Sequence, residues 1–213
     1  MDACDSLSPF SRSVIVPHVG AAAARKLARV KIGIAGAGGL GSNAALLLVR
    51  SGIMNVVIAD PDVVAPSNLN RQAFMPDDVG TFKVTAVRKR LQAINPDAVI
   101  QAHPVQLDAG TVMRLFHTCD AVIEAFDDPA AKGMLVQTLV PAGVTVVAAS
   151  GIGGWGDSDA ICTRQLGDNL IVVGDAVSAC TADCPPMAPR VMVTAAKQAD
   201  VVLAQVLGER GGF

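Results

Sequence analysis

Short apolar runs alternate with amphipathic stretches along most of the chain, and this alternation predicts its secondary structure. The apolar runs, which are typical of strands buried on both faces, cover residues 30–35, 55–60, 98–104, 121–126 and 144–149. Helical periodicity and capping residues predict helices over residues 14–27, 40–51, 83–94, 108–117 and 129–139. Strands and helices that alternate in this way predict an α/β fold, with a Rossmann-like, doubly wound and mainly parallel sheet.

This alternation ends after residue 150. Residues 159–164 and 170–174 look like short strands with no helix between them, so we expect a C-terminal antiparallel extension of the sheet. A loop with Cys180 and Cys184 precedes a last helix over residues 188–207. We expect one domain over residues 1–213.

Glycines follow the first apolar run at G-x-G-x-x-G spacing. Gly36 permits a tight turn, Gly38 lets the backbone approach a phosphate, and Gly41 allows the new helix to pack closely on the sheet. The next apolar run ends at Asp60, 19 residues beyond Gly41, where an acid can accept hydrogen bonds from a ribose. Although any strand-to-helix turn can use glycine, this order favours nucleotide binding.

Composition narrows the class of protein. Hydrophobic residues make up 51% of the chain and charged residues 17%, which favours a sheet covered on both faces and a further buried surface in an oligomer. The net charge of −2 gives no electrostatic basis for binding nucleic acid or an anionic membrane. Five cysteines, an odd number, argue against a disulfide framework and predict a cytoplasmic location.

Acidic residues follow two of the predicted strands, at the sheet edge where ligands bind in open α/β folds. These are Asp60, with Asp62 in the loop behind it, and the pair Asp127 and Asp128. Carboxylates beside a phosphate-binding turn are unfavourable unless a cation is present, so a magnesium nucleotide is expected. For the pair at 127–128 the alternative is a helix N-cap, and spacing does not decide between the two.

The polar loop after Asp60 adds Asn68, Arg71 and Lys83. Arginine can bind a triphosphate with two hydrogen bonds and lysine can supply a point charge, so the basic pair suits a triphosphate that is being split. By themselves, one arginine and one lysine would equally fit a solvated surface.

Taken together, these motifs resemble the ThiF/MoeB/HesA family of adenylyltransferases, which are relatives of the ubiquitin-activating enzymes. The matching segments are GAGGLGS at 36–42, DPD at 60–62, SNLNRQ at 67–72, residues 80–83, and Asp127 after a strand. Near the C-terminus, PMAPRV at 186–191 and Gln198 resemble short ThiF-like proteins of thiamine biosynthesis.

The resemblance implies that MgATP activates the C-terminal Gly-Gly carboxylate of a ubiquitin-like, ThiS-like sulfur carrier as an acyl-adenylate, with release of pyrophosphate. A carboxylate is a poor electrophile at neutral pH, and attack of its oxygen on the α-phosphorus makes AMP the leaving group for later sulfur transfer. No general base is needed because the nucleophile is already an anion. Catalysis would therefore come from positioning and charge neutralisation.

The resemblance also implies roles for individual residues. Asp60 would hold the ribose, Asn68, Arg71 and Lys83 would contact phosphates, and Asp127 would hold Mg²⁺. The nucleotide-binding residues that it implies are Gly36, Gly38, Gly39, Gly41, Asp60, Asp62, Asn68, Arg71, Lys83 and Asp128. The catalytic residues that it implies are Arg71, Lys83, Asp127 and Arg12. Arg12 matches a family arginine that reaches the ATP site of a neighbouring subunit, which implies a homodimer.

The cysteines depart from the family pattern. Many members hold zinc with two Cys-x-x-Cys pairs, but here Cys180 and Cys184 stand alone with three residues between them, so no zinc is expected. Some relatives link the activated carrier to a cysteine in this loop. Cys180 or Cys184 could do so, although a small residue in a Pro-rich loop explains them as well.

Two other functions stay open on sequence alone. An NAD-dependent oxidoreductase would use the glycine turn and Asp60 equally well, but it would not need Arg71 and Lys83 together. A nucleotide-binding regulatory protein without catalysis would not need the full set of charged residues. The sequence does not name the sulfur carrier or its pathway.

Overall fold

The computed structural model describes residues 7–208. The helices are α1 (Val16–Arg29), α2 (Gly39–Arg50), α3 (Lys83–Ile94), α4 (Ala109–Phe116), α5 (Pro129–Leu139) and α6 (Ala188–Leu207). The strands are β1 (Lys31–Ala35), β2 (Asn55–Ala59), β3 (Val99–His103), β4 (Ala121–Glu124), β5 (Thr145–Ala149), β6 (Cys162–Gly167) and β7 (Leu170–Gly174). None of the described helices combines the length and the apolar character that crossing a membrane requires. The ends of the expected single domain, residues 1–6 and 209–213, lie outside the described residues.

The strands form one sheet in the order β3-β2-β1-β4-β5-β7-β6. All neighbouring pairs are parallel except β6–β7, which is an antiparallel hairpin at one edge of the sheet. The predicted fold class, a Rossmann-like and mainly parallel sheet with an antiparallel extension, is therefore confirmed. Because β7 runs parallel to β5, only β6 reverses direction.

Side chains on the central strands alternate between two hydrophobic layers. Ile32, Ile34 and Ile123 belong to the layer under α1, α2, α3 and α6, whereas Val57 and Val122 belong to the layer under α4 and α5. Each is at most 1% exposed, and burying such a side chain contributes about 1.5–3 kcal/mol. The sheet is thus covered on both faces, as the apolar composition predicts.

Two predicted elements differ in detail. The first predicted helix is interrupted at Gly20, where φ is 80° and ψ is 163°, and a π-helical turn, Ser11–Ile15, precedes it. Strand β6 begins at Cys162 instead of residue 159 because Ser158–Ala160 form a 3₁₀ turn. Neither difference affects the carboxyl edge of the sheet, where β1, β2, β4 and β5 end.

Candidate active site

A cleft of about 1100 Å³ opens beyond the carboxyl ends of the parallel strands. Nine of the residues predicted from sequence line it: Gly36, Gly38, Gly39, Asp60, Asp62, Arg71, Lys83, Asp127 and Asp128. Three do not: Gly41, Asn68 and Arg12. The fold therefore brings residues from three separate loops into one site.

The glycine turn forms one wall of the cleft. Gly36 has a φ of 102°, and a Cβ on it would lie 2.7 Å from the carbonyl oxygen of Ala125. A Cβ on Gly41 would overlap the carbonyl oxygen of Gly36, which is the close packing that the spacing predicts. Helix α2 begins at Gly39 with no side-chain cap, so its first N–H groups are available to an anion.

Asp60 holds the glycine turn in position through hydrogen bonds. Its carboxylate accepts hydrogen bonds from the backbone N–H of Ala37 at 2.6 Å and of Asp62 at 2.9 Å. Burial raises the pKa of Asp60, despite these two hydrogen bonds and the nearby charge of Lys83. Asp60 thus fixes the loop after β2 against the glycine turn and still lines the cleft, where the ribose contact was predicted.

Lys83 reaches the cleft from the first residue of α3. The residue is only 7% exposed, and its ammonium donates to Asp62 Oδ2 at 2.7 Å. The Asp62 side chain is 61% exposed, so the pair lies where a ligand can reach it. Lys83 is therefore not an ordinary surface lysine, because its stem is buried and its charge lies at the cleft. Phosphate contact by Lys83 stays a prediction.

Arg71 and Asn68 belong to the same loop but differ in surroundings. Arg71 is half-buried, lines the cleft, and donates through Nη1 to Asn70 Oδ1 at 2.7 Å and to the Ser67 carbonyl at 3.3 Å. The Asn68 side-chain oxygen accepts from the backbone N–H of Ala65 at 2.9 Å, which closes a 3₁₀ turn. Phosphate contact by Asn68 stays a prediction, whereas Arg71 already lies at the cleft.

The structure separates the roles of Asp127 and Asp128. Asp128 caps α5, accepting from the N–H groups of Ala130 at 3.3 Å and Ala131 at 3.0 Å. Within the described part of the chain, the Asp127 carboxylate has no hydrogen bond or ion pair, and it is exposed to the cleft. The helix-cap alternative thus holds for Asp128, and Asp127 is the carboxylate that is available to a cation.

Magnesium fits this arrangement as part of a nucleotide complex. Residues 7–208 contain no group of three or more His, Cys, Asp and Glu side chains that could hold a metal ion by itself. Mg²⁺ at phosphate sites commonly uses only one or two carboxylates and takes its other ligands from phosphates and water. Asp127 is such a carboxylate, and the role of a magnesium ligand stays a prediction.

A buried ion pair that was not predicted lies behind Asp127. The Glu124 side chain is fully buried, and it accepts from Lys132 Nζ at 3.0 Å through each oxygen. The same carboxylate accepts from the N–H groups of Phe126 at 2.7 Å and Ala149 at 3.3 Å. Burial raises the pKa of Glu124 in spite of Lys132. The pair connects the β4–α5 loop to the end of β5. Its two residues lie eight positions apart in different elements, and this spacing does not allow the pair to be predicted from the sequence.

The two cysteines of the last loop, Cys180 and Cys184, differ in their position relative to the cleft. Cys180 lines the cleft, whereas Cys184 does not. The Sγ of Cys184 faces Gly154. Burial and the proximity of Cys184 raise the pKa of Cys180, although Arg71 and Lys132 oppose this shift. Cys180 is therefore the cysteine placed to meet a bound substrate, but its surroundings do not favour the thiolate.

Arg12 lies far from the cleft of its own chain. It is exposed on the turn Ser11–Ile15, whose buried residue Ser11 contacts Met54 Sδ at 3.8 Å. Met54 directly precedes β2, so this turn lies at the amino edge of the sheet, roughly 16 Å of strand from the carboxyl edge. Action of Arg12 on the site of a second copy stays a prediction.

Comparisons with known proteins identify relatives of this chain. The chain is 34% identical over 150 residues to an adenylyltransferase and sulfurtransferase UBA4 from Candida albicans, a match that covers 70% of this chain and 34% of that protein. It is 35% identical over 125 residues to a sulfur carrier protein adenylyltransferase from Thermus thermophilus, covering 58% of this chain and 46% of that one. The chain thus spans about a third to a half of the length of these relatives.

Solved structures share the fold. The E. coli tRNA N6-threonylcarbamoyladenosine dehydratase TcdA, solved in complex with ATP, superimposes with a TM-score of 0.81 at 21% identity over 94% of each chain. The sequence model of the ThiF family matches residues 10–209, which is nearly the whole chain. The chain therefore belongs to the ThiF family.

Proposed function

We propose that this chain uses MgATP to adenylylate the C-terminal carboxylate of a ubiquitin-like sulfur carrier that ends in Gly-Gly. The observation that carries the proposal is that Arg71, Lys83 and Asp127 line one cleft beside the glycine turn. Two cations and a carboxylate without a partner suit a metal-bound triphosphate. An NAD-dependent oxidoreductase would need only the glycine turn and Asp60 to bind its nicotinamide dinucleotide. Arg71 and Lys83 would then have no role.

The reaction needs charge neutralisation and alignment from this chain. A carboxylate oxygen of the carrier attacks the α-phosphorus of ATP, and the bond from this phosphorus to the bridging oxygen breaks, so that pyrophosphate leaves with the electron pair. Arg71 and Lys83 stabilise the negative charge that moves onto the pyrophosphate. Mg²⁺, held by Asp127, would neutralise further phosphate charge.

The rest of the cleft is suited to a narrow peptide tail. Six of the residues that line it have small side chains: Gly133, Ala148, Ala149, Ser150, Gly151 and Ala179. Side chains of this size leave room for an extended backbone to approach the nucleotide, and a Gly-Gly end has no Cβ to obstruct it. The Thermus relative named above, a sulfur carrier protein adenylyltransferase, supports this class of partner.

We further propose a ThiS-like carrier of thiamine biosynthesis as the first partner to test, and a homodimer as the active form. The thiamine assignment rests on the resemblance of residues 186–191 to short ThiF-like proteins. The homodimer rests on Arg12, which lies at the amino edge of the sheet and is exposed, so that only a second copy could bring it to a cleft.

Exchange of labelled pyrophosphate into ATP tests the function. We expect exchange that requires Mg²⁺ and a carrier ending in Gly-Gly, and that stops when the last glycine of the carrier is removed. Gly-Gly carriers of the thiamine, molybdopterin and cysteine pathways are compared in parallel, and their exchange rates rank the pathways. NAD binding serves as the control. Binding of NAD in the cleft with no exchange for any carrier would contradict the proposal.

A further inference from the structure

Gln72 is the last residue of the SNLNRQ segment and has no role so far. Its backbone position is fixed from both sides. The residue before it, Arg71, accepts at its carbonyl from Asn43 Nδ2 at 3.0 Å, and the residue after it, Ala73, donates its N–H to Ser42 Oγ at 3.1 Å. Because Ser42 and Asn43 lie near the start of α2, Gln72 is held against the glycine turn.

The Gln72 carboxamide lines the cleft without a hydrogen-bond partner among the described residues, and its oxygen is buried. The residue is only 7% exposed and lines the cleft, and its Oε1 is buried with no hydrogen bond. Its Nε2 has no hydrogen bond to any described residue and lies 3.7 Å from the position of a Cβ on Gly38. Buried carboxamides in native proteins are normally hydrogen-bonded, so an unpaired one at a ligand site points to a ligand that completes it.

The neighbours of Gln72 indicate which part of a nucleotide it would meet. Asp60, where the ribose contact is expected, accepts from the N–H of Ala37, and Gly38 follows directly in the chain. A phosphate beside Gly38 is therefore the one joined to the ribose. This is the α-phosphate, at which the proposed reaction takes place.

We infer that Gln72 binds the α-phosphate of the nucleotide, donating an N–H of its carboxamide to a non-bridging oxygen. The inference rests on the proposed function, since it takes ATP as the ligand. A neutral donor at this place suits the reaction, because it stabilises charge on the α-phosphate without repelling an incoming carboxylate. The ribose hydroxyls of the same ligand can donate to the amide oxygen, so that both ends of the side chain are satisfied.

Nucleotide binding to Gln72→Met and Gln72→Glu tests the inference. ATP, AMP and adenosine compete with a fluorescent ATP analogue for the purified chain. Because one hydrogen bond to a charged group is lost, we expect Gln72→Met to weaken ATP and AMP by a similar factor, roughly tenfold, and to leave adenosine unchanged. Gln72→Glu keeps the shape of the side chain but repels phosphate, so both phosphorylated ligands should weaken further. Gln101→Met, at an exposed position of β3, is the matched control.

Two results would overturn the inference. Unchanged ATP and AMP affinity in Gln72→Glu would show that the side chain does not contact phosphate. Equal weakening of all three ligands would show that Gln72 only shapes the cleft. Failure of the wild-type chain to bind ATP or AMP at all would instead contradict the proposed function. Thermal unfolding checks the fold of each variant, and the isosteric Glu variant keeps the test available if Gln72→Met is unstable.

Discussion

Asp127 and Asp128 are neighbours in the chain but have different surroundings in the fold. Asp128 uses both carboxylate oxygens to cap α5, and Asp127 faces the cleft without a hydrogen bond or ion pair to the described residues. Sequence spacing could not separate a helix cap from a cation ligand, because either aspartate can precede a helix that begins with proline. The structure assigns the helix cap to Asp128, and the role of Asp127 as a cation ligand stays a prediction.

Substitution of Asp127 should abolish catalysis without loss of the fold. We expect Asp127→Ala to reduce pyrophosphate exchange by at least about 100-fold, because a carboxylate that holds the phosphate-bound cation is removed. Thermal unfolding should be unchanged, since the side chain makes no hydrogen bond or ion pair in the described structure. Asp97→Ala, at an exposed position in the turn before β3, is the control. Unchanged turnover of Asp127→Ala would remove this residue from the mechanism.

At the residue scale, the sequence predicts well which positions line the cleft. It predicts less well what each side chain does there. Asp60, Asp62 and Asp127 follow strands, and the ends of parallel strands share one edge, so their location can be predicted from the pattern. The contact of Asn68 with Ala65, and the contacts that hold Gln72, depend on how a long loop folds back on itself and on α2. Such contacts have no periodic signal.

At the scale of elements, the Glu124–Lys132 pair joins β4, α5 and β5. Lys132 Nζ also donates to the Ala149 carbonyl at 3.2 Å, so its three N–H groups all have partners. The side chain of Gln198 in α6 donates to the carbonyls of Glu124 and Val147, at 3.0 Å each. These contacts fix the loop that carries Asp127.

Loss of Lys132 should destabilise the protein more than the loss of a surface lysine. We expect Lys132→Met to lower the free energy of unfolding by about 3 kcal/mol, because it leaves the buried Glu124 carboxylate without its charged partner. This is the low end for buried pairs, since the Lys132 side chain keeps 27% exposure. Lys132→Arg should recover most of the loss. Urea unfolding measures both variants, and equal stability of Lys132→Met and wild type would contradict the account.

A second ion pair holds the two cleft loops, residues 150–161 and 175–187. Arg190 at the start of α6 donates to Asp175 Oδ2 at 2.5 Å and to the Asp157 carbonyl at 2.7 Å. Burial alone would raise the pKa of Asp175, but hydrogen bonds from Ser178 and Val177 and contact with Arg190 outweigh it and lower the pKa to about 2. The ionised form of Asp175 therefore stabilises the folded state.

This pair predicts a pH dependence with a definite sign. Because the pKa is lower in the folded state than the ordinary 3.8, the stabilisation is complete above pH 4 to 5 and disappears as the pH falls towards 2. We expect Asp175→Asn to cost about 1–3 kcal/mol at pH 7. The difference from wild type should shrink below pH 4 in urea unfolding. Asp183→Asn, at an exposed position of the same loop, is the control, and a difference that grows on acidification would contradict the prediction.

The elements themselves were largely predictable, for identifiable reasons. Residues 83–94, 129–139, 170–174 and 188–207 have the predicted bounds, and the helices at 129–139 and 188–207 have proline in their first turn. The break at Gly20 could not be predicted, because glycine within a helical pattern is tolerated as often as it interrupts. The sequence predicts too early a start for β6, because nothing in it indicates the 3₁₀ turn at Ser158–Ala160.

At the scale of the whole molecule, one chain carries Arg12 and its cleft at opposite edges of the sheet. If Arg12 serves the site of a second copy, defects in two different subunits can complement each other. We expect Arg12→Ala and Lys83→Ala to be inactive separately and to recover up to about a quarter of wild-type exchange when mixed, because mixed dimers contain one intact site. Subunits are mixed by unfolding and refolding together. An inactive mixture in which mixed dimers are present would contradict shared sites.

The central claim is that the cleft makes a carboxylate reactive by transferring AMP to it. Intact mass measurement of a Gly-Gly carrier incubated with the chain and MgATP, and quenched in acid, tests this most directly. The account predicts that the carrier gains the mass of one adenylyl group at its terminal glycine, and that the gain is absent with Lys83→Met and with a carrier that lacks the last glycine. A wild-type chain that binds ATP but leaves every Gly-Gly carrier at its original mass would contradict the account.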